Sequence, residues 1–179
     1  MRAGHTVLIQ PAAGGLGTIL VQLAVAAGAR VIGAARGAEK LALVKELGAD
    51  VAIDYSSPDW IEQVGAVDIA FDGVGGAPGR AAFGAVRTGG VYSIHGDASS
   101  SADFTTEEQA TERGVTMRGI EQLSTFHPDQ RRRIEHLFEL TAAGRIRPVI
   151  GRTYPLDQAA DAHRAKEARE VVGKILLLP

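Results

Sequence analysis

Residues 6–17 read TVLIQPAAGGLG, and the eleven residues after them, TILVQLAVAAG, carry no charge. Thr6 to Gln10 is an apolar run of strand length, stopped by Pro11 and a cluster of glycines. The next run, Gly15 to Ala27, is long enough for a helix buried on most sides, and Gly28 closes it where a residue with positive φ is needed. A strand, a glycine turn and a buried helix in this order place backbone amides at a helix N-terminus. A phosphate can approach them only where no side chain intervenes. Gly14 and Gly15 permit that approach, and Gly17 lets the helix pack close to the strand. Ala12 departs from the usual fingerprint, whose first glycine would stand there.

Outward from this unit, strand-length apolar runs alternate with segments of helical period, the pattern of a parallel sheet with crossover helices. Strands are expected at Arg30–Ala34, Val51–Ile53, Val67–Phe71, Val91–His95 and Val115–Arg118. Helices are expected around Lys40–Leu47, at Ala77–Val86 and from Pro128 to Gly144, the last with Ile134, Leu137, Phe138 and Ala142 on one face. After Pro148 come a strand, a helix around Leu156–Ala168 and a last strand, Lys174–Leu178. The fold class is α/β: a Rossmann-type doubly wound parallel sheet of about six strands, helices on both faces, plus a C-terminal strand–helix–strand extension. Residues 1–147 form the dinucleotide-binding domain and 148–179 the extension.

The second strand selects the cofactor. An NAD site places a carboxylate on the ribose hydroxyls about twenty residues beyond the loop. Here that region reads Gly33-Ala34-Ala35-Arg36, and the first acidic residue in the chain is Glu39. Arg36 and Lys40 suit a ribose with a 2′-phosphate, so NADP(H) is the expected cofactor. The missing acid also counts against a methyltransferase.

Composition narrows the alternatives. The chain has 179 residues, a formal net charge of -2 and no cysteine. That balance gives no field to gather nucleic acid, and without thiolates the usual structural zinc ligands are lost. The uncharged stretch Thr6–Ala29 is long enough to cross a bilayer, but Pro11, Gly14, Gly15 and Gly17 interrupt it. Arg2 and the small residues Ala24–Ala26 give it some likeness to a secretory signal. The expectation is a cytoplasmic chain acting on a small molecule. Arg131–Arg133 reads as a solvated helix face. Ser93, His95 and Asp97 alternate along one strand and cannot converge as a hydrolase triad. His5, His127, His136 and His163 show no ligand spacing, so no metal site is expected.

The loop Ala12–Gly17, Leu47–Asp50, Ile53–Tyr55, Asp72–Gly76, Gly89–Val91 and Gly173–Leu178 together resemble the medium-chain dehydrogenase/reductases, and within them the zinc-independent quinone oxidoreductases. That family favours alanine at the position of Ala12. The resemblance implies NADPH-dependent reduction of a quinone or activated enone. It further implies that Ala13, Gly14, Gly15, Leu16 and Gly17 bind the pyrophosphate region. Arg36, Lys40 and Tyr55 would surround the 2′-phosphate and adenosine, Val74 and Gly75 would lie along the cofactor, and Ile94, His95 and Gly96 near the nicotinamide. His95, at a strand end, is the one candidate proton donor. Family members carry a catalytic domain ahead of the cofactor domain, to which residues 148–179 would return, so this chain is expected to be part of a larger enzyme. They commonly pair edge to edge through the strand corresponding to Val115–Arg118, which implies a homodimer. The rival functions are a non-catalytic NADP(H)-binding module and an enoyl reductase piece of a larger synthase.

Overall fold

The computed structural model describes residues 1–99, 105–123 and 129–179. The first strand, β1 (Thr6–Gln10), leads through the glycine loop into α1 (Gly17–Ala26), followed by β2 (Arg30–Ala35), α2 (Ala38–Glu46) and β3 (Val51–Asp54). A 3₁₀ turn at Trp60–Gln63 precedes β4 (Val67–Asp72), α3 (Gly76–Ala85) and β5 (Val86–Ile94). The chain continues through α4 (Glu107–Glu112) to β6 (Thr116–Arg118) and α5 (Gln130–Ala142). It ends with β7 (Ile150–Pro155), α6 (Ala159–Glu167) and β8 (Lys174–Leu178).

Six strands form one parallel sheet in the order β3-β2-β1-β4-β5-β6, while β7 and β8 pair in parallel as a separate two-stranded sheet. Strand order reverses between β1 and β4, where Val7 pairs with both Val31 and Ile69. In open α/β sheets the crevice at the carboxyl ends of two such strands takes the ligand. Both faces are covered, as parallel sheets require. Alternate residues therefore enter different cores. Val7, Ile9 and Val31 pack with Val21 and Val44 on one side, and Leu8, Ile32 and Ile53 pack with Trp60 and Phe83 on the other.

Several boundaries differ from expectation for local reasons. Helix α1 begins at Gly17 rather than Gly15, because the loop continues through Leu16. Strand β5 starts at Val86, which pairs with Val67 before a register shift at Ile69. Helix α4 was hidden in a polar stretch, yet Thr106 and Gln109 form a reciprocal capping box at its start. The long helix begins at Gln130, and Pro128 lies outside the described residues. Its expected core face is largely uncovered: Leu140 is buried, whereas Phe138 is 71% exposed.

Gly17 fixes how near α1 comes to β1. A β-carbon there would overlap the Pro11 carbonyl oxygen and lie 2.8 Å from the backbone of Ala12, groups that cannot swing away. Gly17→Ala should therefore lower stability by about 3 kcal/mol, seen as a reduced denaturant midpoint with unchanged slope. An unaltered midpoint would mean that the loop yields.

Candidate functional site: a basic cleft over the glycine loop

A cleft of about 450 Å³ opens at the carboxyl ends of the strands. Its floor is the glycine loop with Pro11, Ala13, Gly14 and Gly15, and its sides carry Ala35, Arg36, Lys40, Tyr55 and Val74. The opposite wall comes from the C-terminal segment: Lys166, Arg169, Val171, Gly173, Lys174 and Ile175. Among the described residues, five that line it are bases and none is an acid. A phosphate-bearing ligand would meet attraction on every side.

Two carboxylates that stand close to this cleft are committed to hydrogen bonds within the fold. Asp54, at the end of β3, accepts from the Gly37 amide at 3.0 Å and from the amide and hydroxyl of Ser56. The Ser56 bonds, and then Gly37, hold its carboxyl below the usual carboxylate range. By tying down Gly37 it fixes the start of α2, and hence the position of Arg36 before it. The Arg36 guanidinium lies 5.8 Å from the centre of the Tyr55 ring, within cation–π range. Asp72, at the end of β4, is 1% exposed. It accepts from Gln10 Nε2 at 2.9 Å, the Val74 amide at 2.8 Å and the Tyr92 hydroxyl at 2.6 Å. Burial, and then the Asp72 charge, push the Tyr92 hydroxyl far above its ordinary value, so it stays a donor. This network shapes the turn that carries Val74 into the cleft.

The bases at the open side interact with one another. Lys40 Nζ donates to the carbonyl of Arg169 at 2.5 Å. Partial burial, and then the charge of Arg169, lower the Lys40 pKa, and Arg36 acts in the same direction. Such mutual repulsion is relieved when an anion enters.

Of the residues singled out by sequence, the cleft gathers Ala13, Gly14, Gly15, Arg36, Lys40, Tyr55 and Val74. It does not gather Leu16, whose side chain is 46% exposed beside it, or Gly17, buried by helix packing. Gly75 and Ile94 line a small neighbouring cavity with Asp72 and Tyr92. His95 and Gly96 lie under the turn, against Gly73: a β-carbon on Gly73 would sit 2.6 Å from His95 Nε2. Asp97 accepts from Ser99 at 2.8 Å, and His95 Nδ1 has no hydrogen-bond partner among the described residues. The wall formed by Lys166, Arg169 and Lys174 escaped the sequence reading. Its only signal was three bases within nine residues around Gly173.

A doubly wound sheet with a basic cleft at its switch point defines a dinucleotide-binding domain. Residues 47–177 match the zinc-binding dehydrogenase family, and the chain belongs to that family, within the medium-chain dehydrogenase/reductase superfamily. It is 32% identical to the 2-haloacrylate reductase of Burkholderia sp., a match covering 100% of this chain and 57% of that protein. Escherichia coli quinone oxidoreductase, solved in complex with NADPH, superposes with a TM-score of 0.89 at 26% identity, over 100% of this chain and 58% of that one. A mycocerosic acid synthase-like polyketide synthase of Mycobacterium tuberculosis is 28% identical over 99% of this chain, which covers 9% of its length. The chain thus spans about half the length of the shorter relatives and matches their C-terminal part. This domain is the NADP(H)-binding part. Zinc, which the family description names, finds no donor set: the chain has no cysteine, and among the described residues no three His, Asp or Glu side chains gather. Nor, among them, is any helix long and apolar enough to cross a membrane.

Burial lowers the His95 pKa below the ordinary imidazole value of 6.5. A depressed folded pKa means that the unfolded chain takes up the proton first. The resulting stability is present above about pH 6.5 and is lost as pH falls from there through the folded pKa. The melting temperature should decline over that interval, and His95→Gln should flatten the decline. An equal slope in the variant would show that His95 is not its source.

Proposed function

We propose that this chain is the NADPH-holding half of a reductase that passes hydride to a quinone or an activated enone. The observation that carries this reading is the cleft wall, which among the described residues has five bases and no acid, laid over a glycine loop at a helix N-terminus. Gly14 and Gly15 admit the pyrophosphate to the loop amides and the positive end of α1. Arg36, Lys40 and Arg169 receive the 2′-phosphate, Tyr55 flanks the adenosine, and Val74 lies along the cofactor on the turn held by Asp72. Bound NADPH supplies the hydride. The chain's own part is then to fix the nicotinamide face and keep water away, which is most of what hydride transfer asks of a protein.

In this reading residues 1–147 are the cofactor domain. Residues 148–179 form one wall of its cleft and turn the exposed face of β7 and β8 toward the substrate-binding part of the whole enzyme. His95, kept neutral and seated under Gly73, supports the Val74 turn and is a weak proton donor at neutral pH. Strand β6 closes one edge of the sheet, and a second copy pairing there would make a dimer. Light scattering that found only monomer at high micromolar concentration would remove that part of the reading.

Calorimetric titration with both cofactors is the central test. NADPH should bind more tightly than NADH, and Arg36→Ala and Arg169→Ala should each weaken NADPH about tenfold, the worth of one partly hydrated charge-assisted contact. NADH should be almost unaffected. Equal affinities in the wild-type chain would sink the 2′-phosphate assignment. Tight NADPH binding by the whole protein, without oxidation of NADPH by quinones or enones, would favour a cofactor-binding module.

A further inference from the structure

The five bases of the cleft do not form one group. Lys40 is tied to the Arg169 segment by its bond to that carbonyl, and the charges of Arg169 and Arg36 both act on it. Lys174 stands instead over the glycine loop. Gly173 donates its amide to the Ala13 carbonyl at 2.8 Å, Lys174 donates its own to Val149 at 2.8 Å, and Gly14 and Gly173 form a parallel bridge. The backbone that carries Lys174 is thereby pinned beside the loop. Its side chain then crosses the loop: a β-carbon on Gly15 would lie 2.9 Å from Lys174 Cγ and 3.3 Å from Nζ. Among the described residues no carboxylate pairs with this ammonium.

We propose that Lys174 is a pyrophosphate-binding residue, its ammonium pairing across Gly15 with the phosphates that the loop amides hold. This rests on the cofactor reading above and adds a division of labour to it. Amides and a helix end offer only partial charges, of about half an elementary charge. A lysine from β8 brings a full one to the same phosphates, as a mobile point charge rather than a fork. Because the pyrophosphate is common to NADPH and NADH, the contact adds affinity without discrimination. Selectivity stays with Arg36, Lys40 and Arg169. The absence of a side chain at Gly15 acquires a second purpose, which is to leave room for the lysine stem.

Lys174→Met keeps the apolar stem and removes the charge. In titrations of the chain it should weaken NADPH and NADH by the same factor, about tenfold, with their ratio unchanged, and Lys174→Arg should recover most of the loss. Lys174→Gln serves as a second neutral variant should Lys174→Met melt well below the wild-type temperature. Unchanged affinity for both cofactors in a folded neutral variant would overturn the proposal. A loss confined to NADPH would also overturn it, by moving Lys174 to the 2′-phosphate group. Wild-type chain that bound neither cofactor would instead overturn the reading on which it rests.

Discussion

The site depends on the close approach between the first turn of α1 and the end of β1. With no side chain at Gly17, the helix start settles against the carbonyls of Pro11 and Ala12, and Gly33 on β2 leaves room for Ala12 of the loop and Val44 of α2. Strand β1 is the central strand on which both halves of the sheet are hung, so the loop at its end is held from both sides. The amides of that loop are therefore fixed by the packing of the core before any ligand arrives. A preorganised donor set of this kind spares the ordering cost of binding.

Charge is sorted with the same economy. Asp72 stands nearest the switch point and is turned inward to Gln10, Tyr92 and the Val74 amide, where it shapes a turn. Asp54 is spent on Gly37 and Ser56. Each would repel a phosphate if it faced the cleft. As hydrogen-bond acceptors for the backbone they instead set the direction of Val74 and Arg36, so acids build the frame and bases are left for the ligand. The buried Asp72 tolerates its position because several donors converge on it, which is what a carboxylate removed from water needs.

What the sequence made legible was local. The glycine loop, the acid-free second strand, and Arg36 and Lys40 lie within about thirty residues of one another, and period and punctuation suffice to place them on a strand, a turn and a helix. Six strands of the main sheet were likewise readable, each as a short apolar run between turns. The far wall was not. Lys40 and Arg169 are 129 positions apart, and nothing in the spacing of Lys166, Arg169 and Lys174 says that they return to the loop after Pro11. That contact is made by backbone pairing between Ala13 and Gly173, which leaves no mark on composition. The periodic face of α5 misled in the opposite sense. Periodicity identifies an apolar stripe correctly but does not say what covers it, and Phe138 stays exposed in this chain.

The joining of the two walls gives cofactor binding a mechanical meaning. Arg169 has a φ of 59°, unusual for a residue with a β-carbon, and its carbonyl is held by Lys40 from across the cleft. The charges of Arg169 and Arg36 both oppose that of Lys40 there. The C-terminal segment is thus drawn to the loop side by hydrogen bonds while like charges push it away. In the cofactor placement proposed above, the 2′-phosphate lies between them and reverses the sign of that push. The same ligand that needs the wall would tighten it, so binding energy goes into holding residues 166–175 as well as into the contacts themselves. A cofactor lacking the 2′-phosphate would leave the repulsion standing, and its selectivity penalty would include a looser wall.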